Sequence, residues 1–385
     1  MSNERLLRAN WPESISHPVV TPIQPSVVYA SRDPDELDAQ YDEGSGYTYA
    51  REGHPNADVL AGLIDGMEGA EGGLVVGSGM AAVTTALLAN LRAGDHVIGS
   101  DQLYGRSLRL LKENLPAFGI ETSLVDTTDL AALDAACRDR TRLILVETVS
   151  NPTLRIADID AISKIAKGHD CLVAVDNTFT TPRAIKPLEH GADLVIHSVT
   201  KLLSGHSDAT LGYAVSCDAD TNQRMRVLAA TMGFTPSPFD CWLAERGLYT
   251  FDLRFDRVTS TARKLADALA EVPSITRVIY PLKADHPDHD SALRMLSGGG
   301  GNMVSFELAG GRSEANSFVR AMTAAPFAPT LGDVGTTISH PATSSHRALS
   351  SDERALIGIS EGFFRVSVGC EEPDALIKAF RSALA

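Results

Sequence analysis

The stretch Leu194-Val195-Ile196-His197-Ser198-Val199-Thr200-Lys201 joins an apolar run to a lysine that follows two hydroxyl-bearing residues. The apolar run is typical of a strand covered on both faces, which places the Lys201 amine at the carboxyl end of that strand. An amine in this position can form an imine with a carbonyl cofactor, and Ser198 and Thr200 can hydrogen-bond phosphate oxygens. A surface lysine after an edge strand would show the same local pattern. The choice between these two interpretations therefore depends on the rest of the chain.

Four earlier apolar runs also end in glycine or polar residues. Helical patterns separate these runs, which predicts an α/β fold with a mostly parallel sheet. Ligands bind beyond the carboxyl ends of the strands in such sheets, so the residues at those ends are candidate site residues. The strand exits carry Gly77–Met80, Asp101 with Tyr104, Glu147–Asn151, Asp176–Asn177 and Ser198–Lys201.

Three of these exits suit a phosphorylated pyridine cofactor. Gly79 and Met80 open a predicted helix whose free N–H groups and dipole favour a phosphate, although a glycine can also serve helix packing alone. Asp176 can pair with a protonated pyridine nitrogen, which makes the ring an electron sink; the alternative is a helix N-cap. Tyr104 can stack on the ring and assist proton transfer, or it can be a half-buried core tyrosine.

Two further residues favour an amino-acid substrate. Asn151 can hold a ring oxygen or a substrate group, although Asn-Pro is also an ordinary turn signal. Arg365 precedes the run Val366-Ser367-Val368 and offers a bidentate fork for a carboxylate; a surface salt bridge is the alternative.

The pattern divides the chain into three parts. Residues 1–48 lack periodicity and predict an extended arm, residues 49–249 predict the cofactor-binding domain, and residues 250–385 predict a smaller α+β domain. The segment 285–290, Asp-His-Pro-Asp-His-Asp, favours a solvated turn over a metal site because Pro287 and the charges suit a loop. We therefore predict no metal.

The composition of the chain argues against two classes of binding partner. The 385-residue chain has a formal net charge of -15 and no basic stripe, so we expect no nucleic-acid or anionic-membrane partner. The five cysteines are scattered, and the N-terminus, Met-Ser-Asn-Glu-Arg, has no apolar segment. These features predict a cytoplasmic protein.

Several motifs together resemble the pyridoxal-phosphate enzymes of cysteine and methionine metabolism, over essentially the full length. The resemblance implies pyridoxal 5′-phosphate and a fold-type-I, aminotransferase-like architecture: a three-layer αβα large domain with a smaller C-terminal α+β domain. It also implies a homotetramer built from active dimers. The motifs are Tyr49–Asn56, Ser78–Ala82, Tyr104-Gly105, Glu147–Pro152, Val175–Thr178, Ser198–Asp208, Leu331–Asp333, His340–Ala342 and Gly358–Gly369.

The resemblance also assigns roles. Lys201, Tyr104 and Asp176 are the expected catalytic residues, and Tyr49 with Arg51 would reach the cofactor phosphate of the neighbouring subunit. The expected substrate-binding residues are Arg365 for the α-carboxylate, Asn151, Thr336, which matches a family serine near the lysine, and Arg109, which matches an arginine of cystathionine γ-synthases and γ-lyases.

Two departures bear on the subtype. Gly335 replaces a glutamate of the members that handle cystathionine, and Arg106 stands where methionine γ-lyases carry a cysteine. The first departure weakens recognition of a distal ammonium group and the second weakens a methionine γ-lyase. Arg109 and the overall resemblance favour γ-elimination or γ-replacement on homoserine- or homocysteine-type amino acids. The alternatives are a β-lyase acting on cystathionine or cysteine conjugates, an O-acylhomoserine sulfhydrylase, a methionine γ-lyase, and a cofactor-binding scaffold without turnover.

Overall fold

Seven strands form the larger of two sheets in the computed structural model, which describes residues 16–43 and 46–385. Their order is β1-β7-β6-β5-β4-β2-β3, and β7 is antiparallel to both of its neighbours while the remaining pairs are parallel. The mostly parallel sheet is thus confirmed. The strands are β1 Leu74–Val76, β2 His96–Ser100, β3 Glu121–Val125, β4 Thr141–Glu147, β5 Leu172–Asp176, β6 Leu194–His197 and β7 Gly212–Ser216.

Both faces of this sheet are covered by helices, which is the three-layer αβα arrangement. Along β6, Leu194 and Ile196 pack into one apolar cluster and Val195 into another on the opposite face. The helices of this part of the chain are α1 Pro34–Glu43, α2 Pro55–Glu68, α3 Gly79–Leu88, α4 Gly105–Arg109, α5 Leu115–Ala117, α6 Leu130–Ala136, α7 Ile159–Gly168, α8 Thr181–Ala184, α9 Ala219–Met232 and α10 Pro238–Leu248.

The second sheet has four antiparallel strands in the order β10-β11-β9-β8. Its core is built around buried phenylalanines, with Phe306 stacked on Phe364 at 5.5 Å between ring centroids. This is the α+β region expected after residue 250. Its elements are α11 Phe251–Ala270, β8 Ile275–Ile279, α12 His289–Met295, β9 Met303–Leu308, α13 Arg312–Ala321, β10 Thr337–Ser339, α14 Ser351–Leu356, β11 Phe363–Ser367 and α15 Pro373–Ala383.

Helix α11 begins at the predicted boundary near residue 250 and contacts both sheets. Its first half packs with the large sheet through Phe251 and Phe255, and its second half packs with the small sheet through Leu265 and Leu269. The Arg254 guanidinium also donates hydrogen bonds to the carbonyls of residues 202 and 203. The division into an arm and two domains stays a prediction.

The structure differs from the sequence-based expectation in the arm and in one helix. Residues 34–43 are helical rather than extended, because Pro34 occupies the first turn and the Asp33 carboxylate accepts a hydrogen bond from Glu36 N at 2.8 Å. The sequence pattern over 108–115 predicts one helix, but the structure interrupts it with a π-helical turn, Leu110–Asn114. Residues 1–15 and 44–45 of the predicted arm lie outside the described residues.

The segment 285–290 is a turn that leads into α12, as expected, with Asp285, Pro287 and Asp290 exposed, but it is also anchored to the large sheet region. His286 is buried and its Nε2 lies 2.9 Å from Leu154 O, while Asp288 pairs with Arg155 at 2.6 Å and accepts from Ile156 N at 3.0 Å. These contacts tie the start of α12 to the loop after β4. No group of three or more potential metal ligands occurs within residues 16–43 and 46–385.

Across the described part of the chain, no helix combines the length and the apolar character that crossing a bilayer requires.

Asp288 should contribute to stability in a pH-dependent way. Burial opposes its ionisation, but the hydrogen bonds from Arg155 and Ile156 N outweigh burial and hold the pKa of Asp288 below its ordinary value. We expect Asp288→Asn to lower the free energy of unfolding by about 1–3 kcal/mol at pH 7, measured by urea denaturation.

The direction of the pH dependence follows from the lowered pKa of Asp288. The stabilisation is complete above the ordinary carboxyl pKa and is lost as the pH falls through the lower folded value, so the two proteins should converge below about pH 4. Asp285→Asn is the matched control, because Asp285 lies on the same loop with its side chain 73% exposed. A difference that does not change with pH would contradict the assignment.

Candidate active site

A cavity of about 630 Å³ opens at the carboxyl ends of the parallel strands, where the small sheet faces the large one. Nine of the thirteen predicted site residues line it. They are Gly79, Met80, Tyr104, Asn151, Asp176, Ser198, Thr200, Lys201 and Arg365.

Lys201 is half-buried on the cavity wall directly after β6. Its backbone N–H bonds to Ser198 O at 3.1 Å, and its Nζ makes no hydrogen bond or ion pair with any described residue. Burial lowers the pKa of the Lys201 amine, and the positive charge of Arg365 lowers it further. An amine with a lowered pKa is more often uncharged and therefore a better nucleophile.

The amino-terminal end of α3 forms a cradle beside Lys201. The Ser78 hydroxyl caps the helix by accepting from Ala81 N at 3.1 Å, while the earlier N–H groups have no intrahelical partner. A Cβ on Gly79 would lie 2.7 Å from the Ser198 Cβ, so glycine lets the helix approach Ser198. Free amides at a helix N-terminus suit a phosphate.

The two hydroxyl residues before Lys201 differ. Ser198 anchors its backbone by donating from its N–H to Thr178 Oγ1 at 2.8 Å, and no hydrogen bond of its hydroxyl occurs among the described residues. The Thr200 hydroxyl already donates to Leu211 O at 3.1 Å and accepts from Leu211 N at 2.9 Å. Ser198 is thus the freer phosphate donor of the two.

Asp176 is the last residue of β5, the strand that pairs with β6, and it lines the same cavity as Lys201. Burial raises the pKa of its carboxyl, while hydrogen bonds from Thr178 and the charge of His197 oppose that rise. Thr178 N donates to Asp176 Oδ1 at 3.0 Å, and the next helix starts later, at Thr181, so Asp176 is not its N-cap. A protonated pyridine nitrogen would place a positive charge beside this carboxylate and stabilise its ionised form.

Glu147 ends β4 directly beside Asp176, and no role was predicted for it from the sequence. Its carboxylate accepts from Tyr104 N at 2.6 Å and from Asn151 N at 3.1 Å. Burial raises the pKa of Glu147 well above its ordinary value, and the nearby charge of Asp176 adds to this rise. Its position as the last residue of β4 was the sequence feature that could have identified Glu147 as a site residue.

Arg365 reaches the cavity from β11 of the small sheet. It is 5% exposed, its Nη1 donates to Asn151 Oδ1 at 2.7 Å, and its Nη2 donates to Thr330 O at 3.0 Å. Burial lowers the pKa of Arg365 to about 10. Its buried Nε has no partner. Arg365 therefore does not form a surface salt bridge, and its guanidinium retains N–H groups that can donate to a carboxylate.

Four predicted residues do not line this cavity. Tyr49 and Arg51 are exposed, with the Arg51 guanidinium 5.5 Å from the Tyr49 ring centre. The Thr336 hydroxyl is buried and donates to Glu371 Oε2 at 2.8 Å. Arg109 is exposed and pairs with Glu113 at 2.8 Å, one helical turn away.

Two arginines line the cavity beside the predicted residues. One is Arg106, for which the sequence allows an anion site shared with Arg109 or a plain helix surface; Arg109 does not line the cavity. The other, Arg347, lies in the loop before α14 and in none of the quoted motifs. Both side chains are exposed at the cavity.

The arrangement fits a phosphorylated pyridine aldehyde. The Lys201 amine suits the aldehyde, the Asp176 carboxylate the ring nitrogen, and the α3 amides with Ser198 the phosphate. Each group is otherwise incompletely paired, as the preceding distances show, so the bound cofactor would complete the pairing.

Curated relatives are similar along most of the chain. It is 40% identical over 346 residues to a protein named cystathionine beta-lyase MetC from Bacillus subtilis (strain 168), covering 90% of this chain and 88% of that protein. It is 40% identical over 343 residues to L-methionine gamma-lyase of Pseudomonas putida, covering 89% and 86%.

A solved structure agrees with the fold. A putative O-acetylhomoserine (thiol)-lyase from Campylobacter jejuni subsp. jejuni NCTC 11168, with N'-pyridoxyl-lysine-5'-monophosphate at its position 205, superposes with a TM-score of 0.91 at 30% identity. The superposition covers 95% of each chain. The family model described as Cys/Met metabolism PLP-dependent enzyme matches residues 7–385. The chain therefore belongs to the pyridoxal-phosphate-dependent enzymes of cysteine and methionine metabolism.

Proposed function

We propose that this enzyme eliminates or replaces the γ-substituent of homoserine- or homocysteine-type amino acids. The observation that carries the proposal is the unpaired Lys201 amine, placed in one cavity with Asp176, Tyr104 and Arg365. γ-Chemistry removes protons from both Cα and Cβ, and Lys201 and Tyr104 are two proton-transfer groups in reach of the same cavity.

The chain's own residues divide the work. The Arg365 fork binds the substrate α-carboxylate, and Asn151, which accepts from Arg365 at 2.7 Å, holds the fork in place. Lys201 takes the Cα proton, and the Tyr104 hydroxyl assists at Cβ or at the leaving group. Asp176 keeps a negative charge opposite the ring nitrogen, oriented by Thr178. Pyridoxal phosphate, when bound, supplies the conjugated ring that stabilises negative charge at Cα.

Glu147 supports this division by fixing the backbone on both sides of the substrate. It holds the N–H groups of Tyr104 and Asn151, so the stacking residue and the residue beside Arg365 share one anchor. Positioning of this kind lowers the entropic cost of reaching the reactive geometry.

β-Elimination from cystathionine or cysteine conjugates is the second candidate. The Bacillus subtilis relative that is 40% identical carries the name cystathionine beta-lyase. The two reactions differ in product, because β-elimination from cystathionine gives pyruvate, homocysteine and ammonia, whereas γ-elimination gives 2-oxobutanoate, cysteine and ammonia.

A product panel decides between them. We expect O-acetyl-L-homoserine, O-succinyl-L-homoserine and cystathionine to give 2-oxobutanoate, or a new thioether when a thiol is supplied, measured by chromatography of the oxo acids. Pyruvate as the main product from cystathionine would replace the γ-proposal with β-elimination. Absence of both an oxo acid and a thioether across the panel, with a thiol supplied, would favour a scaffold without turnover.

Lys201 is expected to carry the cofactor. Lys201→Ala should bind pyridoxal phosphate without a covalent link and lose nearly all turnover, because both the linkage and the Cα base are removed. Borohydride reduction of the wild-type enzyme followed by peptide mapping should find the pyridoxyl group on Lys201. Lys186→Ala is the control, since that lysine lies outside the cavity; a reduced adduct on another lysine would overturn the assignment.

We also infer a homotetramer built from active dimers, with Tyr49 and Arg51 serving the neighbouring subunit. In support, both residues are exposed and neither lines the cavity of its own chain. The described arm residues Val19, Val20 and Val28 are exposed and apolar, as suits burial against another subunit. We place the enzyme in the cytoplasm, where its five free cysteines would stay reduced.

Shared sites can be tested by complementation. Lys201→Ala and Arg51→Ala subunits should each be inactive as pure assemblies, yet their hybrid dimer contains one intact site. Random exchange makes half of the dimers hybrid, so about a quarter of the wild-type activity should return on mixing. Hybrids that form, as shown by mass spectrometry, but remain inactive would place both residues in one subunit's site.

A further inference from the structure

A fully buried polar cluster adjoins the active site at the carboxyl ends of β4, β5 and β6. Its centre is Glu68, the last residue of α2. The His197 Nε2 contacts Glu68 Oε1, and Asn177 Nδ2 donates to the same oxygen at 3.3 Å. Asn177 Oδ1 in turn accepts from Thr148 Oγ1 at 3.1 Å. These four residues, the Glu68 cluster, therefore connect the ends of three adjacent strands.

Three members of the Glu68 cluster are chain neighbours of residues that line the cavity. The pairs are Thr148 with Glu147, Asn177 with Asp176, and His197 with Ser198. Side chains alternate between the two faces of a strand, so neighbours of cavity residues point away from the cavity. Along β6, His197 lies on the same face as Val195, which packs in one apolar cluster with residues of α2. The Glu68 cluster thus holds, from the reverse face, the backbone that carries the cavity residues.

The charges of Glu68 and His197 depend on each other. The second polar atom of each side chain, Glu68 Oε2 and His197 Nδ1, is buried without a hydrogen-bond partner. The Tyr213 ring centre lies 6.1 Å from that of the imidazole, but burial raises the pKa of Tyr213 and its hydroxyl donates to Asp65, so Tyr213 stays neutral. A buried carboxylate is costly without a counter-charge. Its contact with Glu68 therefore favours the protonated form of His197.

His197 also lies close to Asp176 through the pairing of β5 with β6. Asp176 pairs with Ile196, the residue before His197, and Asn177 N donates to Ile196 O at 2.9 Å. Burial raises the pKa of the Asp176 carboxyl, whereas hydrogen bonds from Thr178 and the charge of His197 lower it. A carboxylate opposite a protonated pyridine nitrogen has to be ionised, and the positive charge of His197 favours that form.

We propose that Glu68 and His197 are positioning residues for the cofactor: they fix the strand ends that carry Asp176 and Ser198, and their paired charges keep Asp176 ionised opposite the ring nitrogen. Neither residue lines the cavity, so both act through their neighbours rather than by touching cofactor or substrate. The inference deepens the proposed function and rests on the role given there to Asp176.

The protonation state of the ring nitrogen can be measured directly. Holoenzyme reconstituted with pyridoxal phosphate that carries nitrogen-15 in the ring gives an NMR resonance that distinguishes protonated from neutral pyridine. Glu68→Gln and His197→Gln remove one charge each and keep a side chain that can form hydrogen bonds. Either variant should move the resonance towards neutral pyridine and raise the dissociation constant of pyridoxal phosphate roughly tenfold, because the charge-assisted contact at Asp176 is weakened.

Steady-state kinetics should show the same selectivity. The value of kcat should fall in both variants, while KM for the amino-acid substrate stays within about twofold, because Arg365 and its contacts are untouched.

His96→Gln is the matched control for a loss of stability alone. His96 is a buried histidine of the same sheet, but it begins β2 at the amino ends of the strands, where its ring nitrogens lie 2.8 Å from Thr141 Oγ1 and 2.9 Å from Ser123 Oγ. This variant should lower the urea midpoint of the apoenzyme without moving the ring-nitrogen resonance. An unchanged resonance in folded Glu68→Gln or His197→Gln protein would overturn the inference. So would failure of both to fold when His96→Gln folds, since the pair would then serve stability alone.

Asp176→Asn separates this inference from the proposed function. If Asp176→Asn moves the resonance towards neutral pyridine and the Glu68 and His197 variants do not, the role of Asp176 stands and that of the Glu68 cluster fails. If the ring nitrogen stays protonated in Asp176→Asn, the role of Asp176 in the proposed function is wrong and this inference falls with it.

Discussion

The buried guanidinium of Arg365 is the interaction on which the geometry of the site depends. A buried charge is costly unless its hydrogen bonds are satisfied, and Arg365 meets part of this need by donating to Asn151 of the large sheet region and to Thr330 beside the small sheet. The same contacts fix the two sheets relative to each other at the cavity. The unpaired Nε is left for a ligand. A substrate carboxylate could accept the hydrogen bond that the Nε–H of Arg365 does not make within the chain.

Three titratable groups show the same incompleteness. Burial raises the pKa of Asp176 and of Glu147 and lowers that of Lys201, so the surroundings disfavour the charged form of each group. Displacements of this kind cluster at functional sites, where a ligand or a proton transfer restores the balance. Glu147 differs from the other two because its oxygens are already bonded to backbone N–H groups, which marks it as a positioning residue.

Sequence reasoning succeeded where position along a strand determines position in space. Lys201, Asp176, Asn151 and the α3 amides all follow strand ends, and parallel strands bring those ends to one edge. It failed where positions depend on loops: Arg347 lies in a loop without periodicity, and that loop is packed at the cavity by the contact of Ser345 with Gly105. The short strands β3, β7 and β10 were missed because polar or glycine residues interrupt their apolar pattern.

Charge is distributed unevenly between the surface and the cavity. The chain carries a formal net charge of -15, yet four of the six charged side chains that line the cavity are basic. The basic excess at the cavity attracts an anionic ligand locally, although the net charge of the molecule repels it. Arg106 and Arg347 are exposed, whereas Arg365 is buried. Because solvent screens the exposed guanidinium groups, we expect a carboxylate at the cavity to interact more strongly with Arg365 than with either of them.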